Sequence, residues 1–244
     1  MNNNIPDKTG ASPDITFDEF KALVMVSLED ICRDFYRANR DLMKIKKEDV
    51  AVKNYVSICL ATLKLSNEKG FKAMSLRDLC SESGLSMGAL YSYFSSKDEL
   101  LHMIHEQGHT SVQNILLRFT RDIADPLGKL RMAMRAHLYL SEIMRYWFAF
   151  FFMETKNLRK EDRRIPVESE IWTEKFYIDI LEQGINENVF SIANPELTGS
   201  AIKALLQDWY LKRWKFSQRK INIDDYAAFI IAVVESFIMK NKER

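Results

Sequence analysis

Gly84-Leu85-Ser86-Met87-Gly88-Ala89-Leu90-Tyr91-Ser92-Tyr93-Phe94-Ser95-Ser96-Lys97 is the stretch whose reading decides the fold. A glycine at 84 supplies a positive φ at little steric cost, so a helix ends there and a tight turn begins. Ser86 stands where the next helix needs an N-cap, and the spacing predicts a short helix over 87–94. Ser95 or Ser96 caps a third helix that begins at Lys97. Upstream, Ser75 with Asp78 three residues on marks the start of a helix over 76–83. Leu79, Leu85, Leu90 and Phe94 are spaced to form a small core between these pieces. Two short helices joined by a glycine turn, with a third packed behind, make a helix-turn-helix.

Outward from this centre the pattern stays helical. A helix over 48–69 carries Val52, Tyr55, Val56, Cys59 and Leu63 on one side and stops at Gly70. Before it, Phe17, Phe20, Leu23, Val24, Leu28, Ile31 and Phe35 recur at helical spacing and predict one amphipathic helix over 15–39. Residues 1–14 read as a disordered polar tail. Further helices are expected over about 109–122, 127–138, 140–156, 167–184, 196–217 and 224–240. Pro126, Pro166 and Pro195 sit near helix starts, and Gly184 and Asn194 are read as stops.

Composition agrees. The chain has 244 residues with only 8 glycines and 5 prolines, too few turns for a many-stranded β fold. The expected class is therefore all-α. Cys32, Cys59 and Cys80 are odd in number and unpaired in spacing, which points to buried reduced thiols. No apolar run is long enough to span a bilayer, so a cytoplasmic protein without membrane association is expected. Lys and Arg total 35 against 34 Asp and Glu. That balance conceals an asymmetry: from Arg37 to Lys97 there are eleven basic and six acidic residues, a local +5 in a chain of net +1. The remainder is acidic by 4. A positive field therefore lies on the helix-turn-helix side, where double-stranded DNA would bind.

The run from Ile58 to Leu101, and Gly84 to Leu101 above all, resembles the DNA-binding domain of the tetracycline-repressor (TetR) family. The resemblance implies an all-helical homodimeric regulator, usually a repressor, with an N-terminal helix-turn-helix three-helix head. Head and C-terminal helical ligand-binding and dimerisation domain are fused in one chain. The implied organisation is a tail over 1–14, an extra N-terminal helix and basic connector over 15–45, a DNA-binding domain over 46–105, and the ligand-binding and dimerisation domain over 106–244. Alignment to the family motif puts Arg77, Met87, Gly88, Ala89 and Ser92 at positions facing base edges. Arg77 suits guanine, while Met87, Gly88 and Ala89 offer only apolar or backbone contacts. Slim residues at 88 and 89 let the helix behind Ser86 enter the major groove. Ser75, Tyr91, Tyr93 and Lys97 offer hydroxyls and a cation to phosphate oxygens. The 45-residue lead before the family's first helix is longer than in many members. Its basic part, Lys46 and Lys47 included, reads either as an arm onto DNA or as a solvated connector beside a packed helix.

In the C-terminal part, Tyr146-Trp-Phe-Ala-Phe-Phe-Phe-Met153 is an aromatic helix buried on most sides. A cavity between helices there would take a small hydrophobic or aromatic effector. Trp147, Phe150, Phe151, Trp172, Phe176 and Trp209 are the apolar candidates, with Arg145, Glu154 and Arg213 as polar ones. The stretches 152–158 and 206–215 resemble members that sense acyl-CoA thioesters, which implies an apolar tunnel with Arg145 or Arg213 on phosphates. An aromatic stripe at this spacing more often serves as core than as pocket. The last two helices, 196–217 and 224–240, are the implied dimer interface. His102, His105 and His109 share one helix side but read as polar packing residues, and no metal or cofactor is expected. No nucleophile with its base, no paired carboxylates and no phosphate loop suggest an enzyme. The competing reading is a helical ligand-binding or adaptor protein that no longer binds DNA.

Overall fold

The computed structural model describes residues 12–24, 28–40, 44–155 and 164–239. Its elements are α1 Phe17–Val24, α2 Leu28–Ala38, α3 Glu48–Lys69, α4 Leu76–Ser83, α5 Met87–Leu90, α6 Lys97–Thr120, α7 Pro126–Ile143, α8 Arg145–Thr155, α9 Arg164–Asn186, α10 Pro195–Leu211, α11 Arg213–Gln218 and α12 Ile223–Ile238. Among the described residues no strand forms; an isolated bridge pairs Phe190 with Met239. The all-α class stands.

Two compact units result. The head comprises residues 25–111 and 146–168; the body comprises 1–24, 112–145 and 169–244. In the head, α3 packs Val52, Tyr55, Ile58 and Cys59 inward, and Leu79 of α4, Leu90 of α5, Leu100 of α6 and Phe94 between the last two close the core. In the body, α7 is buried along most of its length, with Leu130, Met134, Leu138 and Tyr139 inside. Polar clasps tie α7 to α12. Tyr139 Oη donates to Asp224 Oδ1 at 2.5 Å, and Arg131 pairs with Glu235.

Several expectations need correction. Of the helix expected over 15–39, the described parts are α1 and α2; residues 25–27 between them lie outside the described residues. Of the tail, residues 1–11 also lie outside them. Pro13 and Asp14, expected to be disordered, are tied to Arg135: its guanidinium donates to Pro13 O at 2.8 Å and pairs with Asp14 at 3.3 Å. The helices expected from Lys97 and over 109–122 are one 24-residue helix. The helix expected over 196–217 divides at Lys212. Asn194 starts a helix rather than stopping one, its side chain accepting from Leu197 N. Gly184 lies inside α9, where a Cβ would fall 2.0 Å from the Phe190 ring, so its smallness serves packing. Lys156, Asn157 and Leu158 of the stretch 152–158 are outside the described residues.

Candidate nucleic-acid interface

The reading turn is built by local chemistry. α3 ends at Gly70, whose φ of 81° and ψ of 145° belong to a region open essentially to glycine. Ser75 and Asp78 form a reciprocal capping box at the start of α4. The Asp78 carboxylate also pairs with Lys69 at 2.7 Å. That ammonium, then the Ser75 backbone and hydroxyl bonds, hold the Asp78 carboxyl well below the usual carboxylate range. α4 ends on Gly84 in the left-handed region, φ 72°. Ser86 then caps α5, its Oγ accepting from Ala89 N at 3.2 Å. The second helix is shorter than expected. It spans Met87–Leu90, and 91–94 continue as tight turns with Ser92 N bonded to Ala89 O and Tyr93 N to Leu90 O.

One face of this turn is open. Ser75, Arg77, Ser86, Gly88 and Tyr91 are exposed, and Met87, Ala89 and Ser92 are half-buried. A Cβ on Gly88 would meet only Ser86 Oγ, at 4.0 Å, so the slimness at 88 answers to nothing among the described residues. The face offers a guanidinium, hydroxyls and two small residues to whatever approaches. Beneath it, Leu79 and Leu90 are fully buried and fix the angle between the helices.

Two residues expected at phosphates are used differently. Tyr93 is buried, and its hydroxyl donates to Ala51 O at 3.1 Å, tying the end of the turn to α3. Lys97 directs its ammonium inward to the carbonyls of Phe71 at 2.9 Å, Lys72 at 3.1 Å and Met74. Burial lowers its pKa. Lys97 thus clamps the link between α3 and α4. Lys46 and Lys47 are exposed ahead of α3.

The same link is held from α8. Phe71 N donates to Glu154 Oε1 at 3.2 Å, and the Phe71 ring meets Phe150 edge-on at 5.8 Å. His105 packs against Phe150 and Phe151, and neither ring nitrogen has a hydrogen-bond partner among the described residues. Burial pushes its pKa down to about 3, so it stays neutral. Trp147 Nε1 donates to Ile104 O at 3.0 Å, lying where a side chain on Gly108 would be. These roles of Glu154 and His105 are not apparent from the sequence pattern. The one available signal is Glu154 four residues after Phe150, on the same helical face.

The expected ligand residues do not gather in one unit. Trp147, Phe150, Phe151 and Glu154 belong to the head; Arg145, Trp172, Phe176, Trp209 and Arg213 belong to the body. Trp172 and Phe176 stack at 5.4 Å. Trp209 is fully buried and donates to Glu142 Oε2 at 3.0 Å. Arg213 forks onto the same carboxylate at 3.0 Å and lies over the Trp209 ring, so its charge is already matched. Among the described residues no group of three or more His, Cys, Asp or Glu is placed to hold a metal ion; His102 is exposed and His105 buried.

A capped helix-turn-helix with an open second helix, joined in one chain to an all-helical body, defines a DNA-binding transcriptional regulator. The chain belongs to the tetR family: residues 58–104 match the family model described as bacterial regulatory proteins, tetR family, and 124–234 match the tetracyclin repressor-like C-terminal domain. It is 28% identical over 154 residues to the HTH-type transcriptional repressor KstR2 of Mycobacterium tuberculosis H37Rv, covering 60% of this chain and 74% of that one. A tetR-family protein from Rhodococcus RHA1 shares the fold with a TM-score of 0.68 at 23% identity, over 76% of this chain and 97% of that one. The structure of AibR in complex with isovaleryl coenzyme A and operator DNA does so with a TM-score of 0.65 at 18% identity, over 74% and 97%. The family models divide the chain between 104 and 124, whereas packing assigns α8 to the head. No helix among the described residues is long and apolar enough to cross a membrane.

Proposed function

We propose that this regulator represses transcription as a homodimer on a palindromic operator and is released by a small hydrophobic or aromatic effector of the acyl-CoA class. The open face of α4 and α5 carries the DNA reading. Arg77 reads a base edge; Met87, Gly88, Ala89 and Ser92 lie along the groove; Ser75, Ser86 and Tyr91 meet phosphates. Tyr93 and Lys97 act behind this face, holding it in shape.

Dimerisation is supported by α12, where Phe229, Val233 and Phe237, one turn apart, are 66%, 41% and 67% exposed. A row of apolar side chains left in water at that spacing suits a second copy of the same helix. Two heads so joined would meet half-sites one helical turn apart. The effector reading rests on the isovaleryl coenzyme A bound by AibR, which shares this fold. Binding would favour one of two spacings of the paired heads over the other.

Fluorescence anisotropy with DNA from the protein's own promoter, across a salt series, tests the core of this reading. Absence of specific binding at low salt would leave only the adaptor reading. Arg77→Ala should relax preference at one base pair by about 1–3 kcal/mol. An acyl-CoA effector should raise the melting temperature and weaken operator binding together, and free aromatics should not. Sedimentation of a Phe229→Glu variant tests the dimer: a shift to monomer is expected, and an unchanged mass would remove α12 from the interface.

A further inference from the structure

We infer that the segment Lys44–Lys47, held in place by α2, is a second contact with the DNA backbone, outside the helix-turn-helix. The inference rests on the DNA-binding reading above and assigns a role to residues that precede the family match at 58.

α2 is an integral part of the head. Phe35 stacks on Tyr55 of α3 at 5.2 Å, and the Gln107 amide of α6 lies between the buried thiols Cys32 and Cys59. From this base Tyr36, itself buried, directs its hydroxyl to Ile45 O at 3.0 Å and Lys46 O at 3.1 Å. The basic segment is therefore pinned by its backbone while Lys44, Lys46 and Lys47 remain exposed.

Its place matters as much as its rigidity. Lys44 Nζ reaches Tyr91 O at 3.4 Å, so the segment runs beside the end of the reading helix. Phosphates flanking a major groove occupied by α5 would lie against that end. The Lys46 ammonium rests on Arg40 O at 3.3 Å, a contact a phosphate oxygen would replace with a stronger one.

The two acids that follow the segment are ion-paired with α2. Glu48 pairs with Arg33 at 3.3 Å and Arg37 at 2.9 Å, and Asp49 pairs with Arg33 at 3.1 Å. Glu99, near Lys44, accepts from Ser95 N and Oγ and stays a carboxylate, directed to its own helix start. Without α2, two carboxylates in the first turn of α3 would face the approaching phosphates. With it, the lysines present a net positive edge. These are backbone contacts, because ammonium groups on a pinned coil supply charge without a fixed donor pattern for base edges.

The test compares the full chain with a Lys44→Ala, Lys46→Ala, Lys47→Ala variant on operator and unrelated duplexes over a salt series. Each lost phosphate contact removes about 0.9 from the slope of log K against log salt, so the slope should flatten by roughly 2–3 per protomer. Both duplexes should weaken by the same factor, at least about tenfold at roughly 0.1 M salt. A triple Lys→Arg variant should keep the slope. Tyr36→Phe, which keeps every charge but frees the segment, should weaken both duplexes to a lesser degree. An unchanged slope in the alanine variant, with Arg77→Ala still relaxing base preference, overturns this inference and spares the DNA-binding reading. Loss of discrimination without a slope change would mean base contact and also overturns it. Failure of the unaltered chain to bind either duplex overturns both.

Discussion

The reading turn from Ser75 to Lys97 and the aromatic helix α8 are both in the head, yet they are built by opposite means. In the turn, nearly every feature is made by neighbours in sequence: Ser75 with Asp78, Ser86 with Ala89, Gly84 with its own φ. In α8, every decisive partner is distant: Trp147 with Ile104, Phe150 with Phe71 and His105, Glu154 with Phe71 N. Local chemistry makes a shape that can be read from sequence and altered in small steps. Long-range packing makes a shape whose parts fail together.

Phe150→Ala should therefore cost the most, about 3–5 kcal/mol, because a buried ring touching two elements is removed. A melting experiment that returned a loss below about 1 kcal/mol would break the comparison, since it would make α8 a peripheral wall. Next comes acid. Burial lowers the His105 pKa to about 3 from the ordinary histidine value of 6.5, which the unfolded chain keeps. The unfolded state gains a proton first, so stability is full above about pH 6.5 and falls as pH drops toward about 3. At about pH 5 the loss from this group is about 2 kcal/mol. Denaturant titrations of His105→Leu should show a flatter pH dependence by one proton in that window.

The two glycines sharpen the contrast further. Gly108→Ala puts a Cβ 2.7 Å from a buried indole, so it should destabilise by about 1–3 kcal/mol despite alanine's better helix propensity. Gly84→Ala meets nothing within 4 Å and should cost about 1–2 kcal/mol through its positive φ alone. Smallest is Ser75→Ala, which removes one cap for about 1 kcal/mol. Equal losses at the two glycines on crystallographically unchanged backbones would erase the distinction between contact and conformation.

The same division explains what is legible in advance. α4 is expected over 76–83 and forms there, because both its ends are set by Ser75 and Gly84. α5 stops short of the expected 94, since the Tyr93 hydroxyl draws the chain toward Ala51, a partner 42 residues away. Lys97 carries a cationic expectation that its sequence position supports, but three carbonyls of the α3–α4 link consume its donors. The aromatic run reads as buried from its composition, while its assignment to the head depends on Phe71 and His105, which no periodicity connects to it.

By itself the sequence determined the helical class, the placement of caps and turns, the exposed Arg77 face and the charge asymmetry. Those follow from side chains acting on their own backbone within a few residues, or from simple counts. Only the tertiary structure decided that α8 packs into the head, that Arg213 is matched by Glu142, and that α2 pins the basic segment beside Tyr91. Those outcomes depend on which buried surfaces meet, and a helical period states only that a surface must be covered, not by what.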